Sequence, residues 1–347
     1  MMRFWIPDMS DYIRQIPKVE LHMHVEGSIL PARLLQLAEK NKVKLPYQTI
    51  EEVEQAYQFN NLSEFVDLFI QTTEVVQSAE DFYMVTQDYL DLCRVENIIH
   101  TEVFCDIRTY VDRGHPPEMV LEGINAAFEA QPTDGISGGI IPCFIRHLGA
   151  EVAYQDWQIL KQHQDKYLAI GLAAVEQGYP PSLFKDIFKE INNAGIKTVA
   201  HAGEEAGPDY IWSALKDAHV SRVDHGVTCL DDDELVDYLI KHNIPLTVCP
   251  QSNVKLNVCG HMSQHPLQEL LKRGLNISIH SDDPAHFGAF LTDNLLLVQE
   301  HCGVTDQQIY DMTLNAVKAS FADEQRQKAM QQQIIDYTQH HAHVTIW

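Results

Sequence analysis

Short apolar runs rich in β-branched residues recur along the chain at 19–22, 98–104, 139–145, 167–172, 198–202, 222–225, 245–249 and 276–281. Such runs, bounded by turn signals, predict strands covered on both faces. Helical patterns lie between them. The stretch 231–242 is one, opening with Asp231-Asp232-Asp233-Glu234, whose carboxylates suit the free N–H groups of a helix start. Strands alternating with helices predict an α/β fold with a parallel sheet, and eight of them predict a (β/α)8 TIM barrel.

The alternation is interrupted once. Residues 47–97, between the first and second strands, read as helices over 49–57, 63–76 and 79–95. An insertion after a barrel strand sits at the C-terminal mouth, where barrel active sites lie. Leu62, Phe65, Val66 and Phe69 recur there at helical spacing, which fits either a core face or an apolar lid over a flat ligand. No Gly/Ser or Pro-rich linker divides the chain, so 1–347 is expected to form one domain carrying this helical lid.

Composition narrows the ligand. The 347 residues hold 25 Lys and Arg against 49 Asp and Glu, a formal charge of -24. That surface repels phosphate backbones and anionic membranes, so nucleic-acid and membrane partners are not expected. Seven Cys without a CxxC pair argue against a disulfide framework and a Cys-rich zinc site. The N-terminus has no apolar stretch suited to a signal peptide, and a cytoplasmic protein is expected.

Four motifs carry chemistry. His22-Met23-His24 ends the first strand, and its alternation lets both imidazoles reach one metal. His201-Ala202-Gly203-Glu204-Glu205 follows the fifth strand, Asp224-His225-Gly226 ends the sixth, and His280-Ser281-Asp282-Asp283-Pro284 ends the eighth. All fall at the C-terminal ends of strands, whereas structural residues would be spread over both ends. Three imidazoles and a carboxylate suit Zn²⁺, with Fe²⁺ or Co²⁺ as alternatives. The fourth strand ends in Ala173-Ala174-Val175 and lacks a bridging Lys; Lys166 lies at its other end. One divalent ion is therefore expected, which frees one His for acid–base work. The ten other histidines without strand-end partners, including His147, His265 and His286, read as surface or packing residues.

Together these motifs, with Val25-Glu26-Gly27 after the first, resemble the signature of the adenosine/adenine deaminase family over roughly residues 16–337. The resemblance implies that His22, His24, His201 and Asp282 bind the metal. It implies that Glu204 protonates N1 of a 6-aminopurine, that His225 takes the proton of the attacking water, and that Asp283 hydrogen-bonds N7.

Glu26 stands where the adenosine-specific branch typically carries Asp, and Ser281–Gly288 with Gly178-Tyr179-Pro180-Pro181 resembles the branch acting on free adenine. A departure from that branch is the apolar Ala173-Ala174-Val175 before Glu176. The expectation is adenine converted to hypoxanthine and ammonia, with Glu26 at the pocket rim meeting the N3/N9 edge of the base. Adenosine and N6-substituted adenine are the alternative substrates, and a purine sensor without turnover is the non-enzyme alternative. Cytidine-type zinc deaminases are excluded, since their H-x-E and P-C-x-x-C ligands are absent.

Overall fold

Every residue of the first strand is buried, from Lys18 to His24. That pattern belongs to a parallel strand covered on both faces. In the computed structural model, which describes residues 11–59, 62–132 and 135–340, eight such strands follow one another around a barrel. They are β1 (Lys18–His24), β2 (Ile98–Cys105), β3 (Ser137–Ile145), β4 (Ala169–Ala173), β5 (Lys197–Ala202), β6 (Arg222–His225), β7 (Pro245–Val248) and β8 (Asn276–Ile279). Each pairs in parallel with the next in chain order. The seam between β8 and β1 closes at one bridge, Met23 to Asp282. There the N–H of His24 donates to the Asp282 carbonyl at 2.8 Å, and the N–H of Asp282 donates to His22 at 2.9 Å. Barrel closure and the juxtaposition of three candidate ligands are thus the same hydrogen bonds.

Most of the apolar core lies between the strands and the outer helices. Inside the barrel, apolar filling is confined to a small cluster including Phe104, Ile141, Cys143 and Val199. Buried polar side chains accompany it. Arg222, fully buried, donates to Glu102 at 2.7 Å and to the Leu21 carbonyl at 3.1 Å, and its Nε lies 3.4 Å from Asp224. Burying a guanidinium is costly unless its donors are met. Here the partners come from the middle of β1 and β2 and from β6 itself, and they tie these three strands together.

Between β1 and β2 run helices Pro31–Asn41, Ile50–Ala56, Leu62–Glu74 and Ala79–Val95. Phe65 of the third stacks on Phe287 at 5.3 Å and meets Phe59 at 5.1 Å. The side chains of Leu62 and Val66 lie outside the described set. The helix expected over 231–242 runs from Asp233 to Lys241, and Asp232 caps it by accepting the N–H groups of Glu234 and Leu235. Among the described residues, no helix is long and apolar enough to cross a membrane.

Candidate active site

The mouth of the barrel gathers the strand-end residues around one point. His24 Nε2 lies 3.2 Å from His201 Nε2 and 3.4 Å from Asp282 Oδ1, and His22 Nε2 lies 3.5 Å from the same carboxylate oxygen. Ligand atoms from His22, His24, His201 and Asp282 all fall within 4.8 Å of one another. His225 and Asp282 both sit in left-handed backbone, at φ 66° and 63°. Strained non-glycine conformations of this kind cluster where a side chain must be aimed.

Hydrogen bonding fixes which ring nitrogens are free. Thr247 donates to Asp224 Oδ1 at 2.8 Å, so His22 Nδ1, 3.0 Å from the Thr247 oxygen, must donate to it. His22 Nε2 is left buried and without a hydrogen-bond partner, facing Asp282. His201 Nδ1 lies 3.5 Å from Asp224 Oδ2, a carboxylate behind an imidazole of the kind that orients metal ligands. Burial alone would lower the His22 pKa, but Asp282 and Asp224 outweigh it and the shift is upward. Burial also opposes ionisation of Asp282, yet His22, His225 and His24 hold it well below the usual range. Three imidazole nitrogens, one of them without a hydrogen-bond partner, crowd around a carboxylate in a cation-favouring field, and that arrangement fits a divalent ion. A second grouping replaces His24 and His201 with His225 and Cys249. Burial pushes the Cys249 thiol well above its ordinary value, and a protonated thiol is a poor ligand.

Beside this cluster, His225 Nε2 stands 3.4 Å from Glu204 Oε2. Burial, reinforced by Asp282, Glu176 and Glu205, raises Glu204 well above the carboxylate range. Burial drives His225 well below the usual imidazole value. These shifts favour a protonated carboxyl facing a neutral imidazole, the forms that general acid–base work requires. Asp283 is likewise raised by burial and by its neighbour Asp282, and its Oδ1 has no partner. Gly27 permits its placement, since a Cβ there would fall 2.0 Å from Asp283 Oδ1.

These groups face a cavity of about 190 Å³. His24, His201, His225 and Asp282 border it on one side, Ala173, Ala174 and Val175 form a wall, and Phe65, Phe69, Leu256 and Phe287 cover it. The phenylalanines of the inserted helix therefore serve as packing face and cavity cover together. His147 also borders the cavity, whereas His265 and His286 are buried away from it.

Glu26 departs from its expected place. It is buried, at 1% exposure, and is not among the cavity-lining residues. Its Oε1 accepts from Cys105 Sγ at 3.0 Å, the Asp106 N–H at 3.2 Å and the Tyr110 hydroxyl at 3.4 Å. The chain turns into a short helix, Glu26–Ser28, directly after β1, and this swings the side chain toward the end of β2 rather than to the rim. The residue that lines the cavity there is Asp106. Sequence reasoning passed over it, although it too follows a strand end. Glu176 was noted only for its neighbours, yet its carboxylate accepts four backbone N–H groups, from Gly203, Glu204, Glu205 and Ala206, at 2.6 to 3.1 Å.

A family model described as adenosine deaminase matches residues 17–337. The chain belongs to the adenosine deaminase family. Within the adenosine deaminase family it is 42% identical over 335 residues to an adenine deaminase of Vibrio parahaemolyticus, covering 96% of this chain and 99% of that one. It is 44% identical over 312 residues to an adenine deaminase of Pseudomonas putida, covering 90% and 99%. The crystal structure of adenine deaminase from Arthrobacter aurescens superposes with a TM-score of 0.90 at 33% identity, covering 93% and 99%.

Proposed function

We propose that this protein hydrolyses free adenine to hypoxanthine and ammonia. The observation that carries the reading is the Glu204 carboxyl set 3.4 Å from the His225 imidazole at the edge of a small, apolar-walled cavity. The cavity volume of about 190 Å³ lies below the roughly 300–1,000 Å³ of drug-sized sites, which favours a bare base over a nucleoside. Relatives over 40% identical are named adenine deaminases.

His22, His24, His201 and Asp282 would hold one divalent ion, and zinc suits three nitrogens and one oxygen. Such an ion, when bound, lowers the pKa of water toward neutrality. The chain's own groups do the rest. Phe65 and Phe287 cover the base and exclude bulk water, which strengthens each polar contact. Glu204 donates a proton to N1, making C6 electrophilic, while Asp283, held protonated, donates to N7. His225 accepts a proton from the attacking water as the bond from oxygen to C6 forms. The C6–N6 bond then breaks, and that proton leaves with nitrogen as ammonia. The second proton of the water restores Glu204, and the ring keeps a carbonyl at C6 and a proton on N1.

Turnover of adenine and adenosine, read as released ammonia, and of N6-methyladenine, read as released methylamine, tests the reading when compared by kcat/KM. Adenine is expected to exceed both others. Faster turnover of adenosine would overturn the choice of substrate, and no release from any of them would overturn deamination.

A further inference from the structure

Asp106 stands one residue beyond the end of β2 and lines the cavity, although its residue exposure is only 8%. It occupies the N-cap position of helix Ile107–Val111, yet its side chain makes no capping bond. Its backbone N–H is held by Glu26 Oε1 at 3.2 Å, while its Oδ1 is buried without a partner. Neighbouring Arg108 is turned away, pairing with Asp112 and Asp156. A buried, unpaired carboxyl costs free energy unless a ligand satisfies it.

The order of strands says which part of a base it would meet. This step rests on the adenine reading above. With C6 at the metal-ligand cluster, N1 turns to Glu204 after β5, and N7 to Asp283 after β8. The N3/N9 edge then points away from the cluster, with N9 on the N7 flank. Asp106 follows β2, which pairs with β1, and β1 meets Asp282 at the barrel seam. It therefore stands on the N7 and N9 side of the mouth. We infer that Asp106 reads the N3/N9–H edge of the purine and is the residue that selects a free base over a 9-substituted one. Its carbonyl oxygen accepts N9–H, and its hydroxyl donates to N3. Burial with the nearby Glu26 and Asp156 raises Asp106 well above the carboxylate range, which supplies that hydroxyl. Glu26 acts through Asp106 as a positioning residue, joined to it by the backbone hydrogen bond.

A site built around a substrate N–H rejects an analogue lacking it by about 10⁴–10⁵. The test compares wild type, Asp106→Ala and Asp106→Asn. It measures kcat/KM for adenine and 9-methyladenine, and Kd for hypoxanthine and 9-methylhypoxanthine by calorimetry. Asp106→Ala is expected to lower kcat/KM for adenine by about 10²-fold, for the loss of a paired buried group, and to leave 9-methyladenine unchanged or faster. Asp106→Asn, whose amide also offers one donor and one acceptor, is expected to keep most of the preference. Equal losses on both members of each pair in Asp106→Ala, or an unchanged preference, would overturn the inference. The Kd pair reports on Asp106 without turnover. Absent ammonia release with an Asp106-dependent Kd ratio would therefore count against the deaminase reading alone.

Discussion

The carboxylate of Glu176 holds the backbone of Glu204, accepting its N–H at 3.1 Å together with those of Gly203, Glu205 and Ala206. The candidate acid is thereby fixed from behind by a residue that does not line the cavity. The same negative charge helps keep the Glu204 carboxyl protonated. One side chain thus serves both geometry and charge.

Glu176→Gln keeps the size of the side chain but removes its charge and two of its four lone-pair positions. Displacement of a catalytic group by about 1 Å costs on the order of 10²-fold. We expect kcat for adenine to fall by about that factor, with KM nearly unchanged and the bound-metal content intact. Steady-state kinetics and elemental analysis on one preparation check this.

Metal removal should separate ligands from proton carriers. Elemental analysis is expected to find one divalent ion per chain, and a chelator to abolish turnover until metal is restored. His24→Ala and Asp282→Ala should lose both metal and activity. His225→Ala should lose activity by about 10²–10⁴-fold and keep the metal. Two ions in the fully active protein would contradict a single four-ligand centre.

Stability should weaken in mild acid for a reason remote from this centre. His265 Nδ1 accepts the Leu267 N–H at 3.1 Å, and its Nε2 lies 3.1 Å from Asn253 Oδ1. The first bond needs the neutral ring, because a protonated Nδ1 cannot accept; Nε2–H donates to Asn253 in either state. Burial lowers its pKa to about 4, while the unfolded chain titrates near the ordinary value of about 6.5. Between those values the unfolded state binds the proton and the folded state does not, so stability falls as pH drops from about 6.5 to 4. Denaturant unfolding at pH 7 and 5 is expected to show this loss, on the order of 2 kcal/mol at pH 5. His265→Gln should flatten that part of the slope; an unchanged slope would remove His265 from the account.

Much of this was legible in the sequence. Barrel strands buried on both faces read as short apolar runs, and His22, His24, His201, His225 and Asp282 all fall at the C-terminal ends of those runs or just beyond them. Strand limits moved by one or two residues where hydrogen bonding, not hydropathy, sets the end; β8 stops at Ile279, and the chain rejoins β1 only at Asp282. Glu26 was misplaced because strand alternation does not extend into the helical turn that begins there. Asp106 and Glu176 were hidden for a different reason. Each is a single acidic residue, and its meaning depends on contacts with strands far away in sequence.

The measurement closest to the central claim is kcat for adenine in Glu204→Gln, with metal content determined on the same sample. The amide keeps the shape of the side chain but cannot deliver a proton to N1. General acid–base catalysis is worth about 10²–10⁴-fold, and the account predicts a loss of at least that order with metal content equal to wild type. Turnover close to wild type would contradict it.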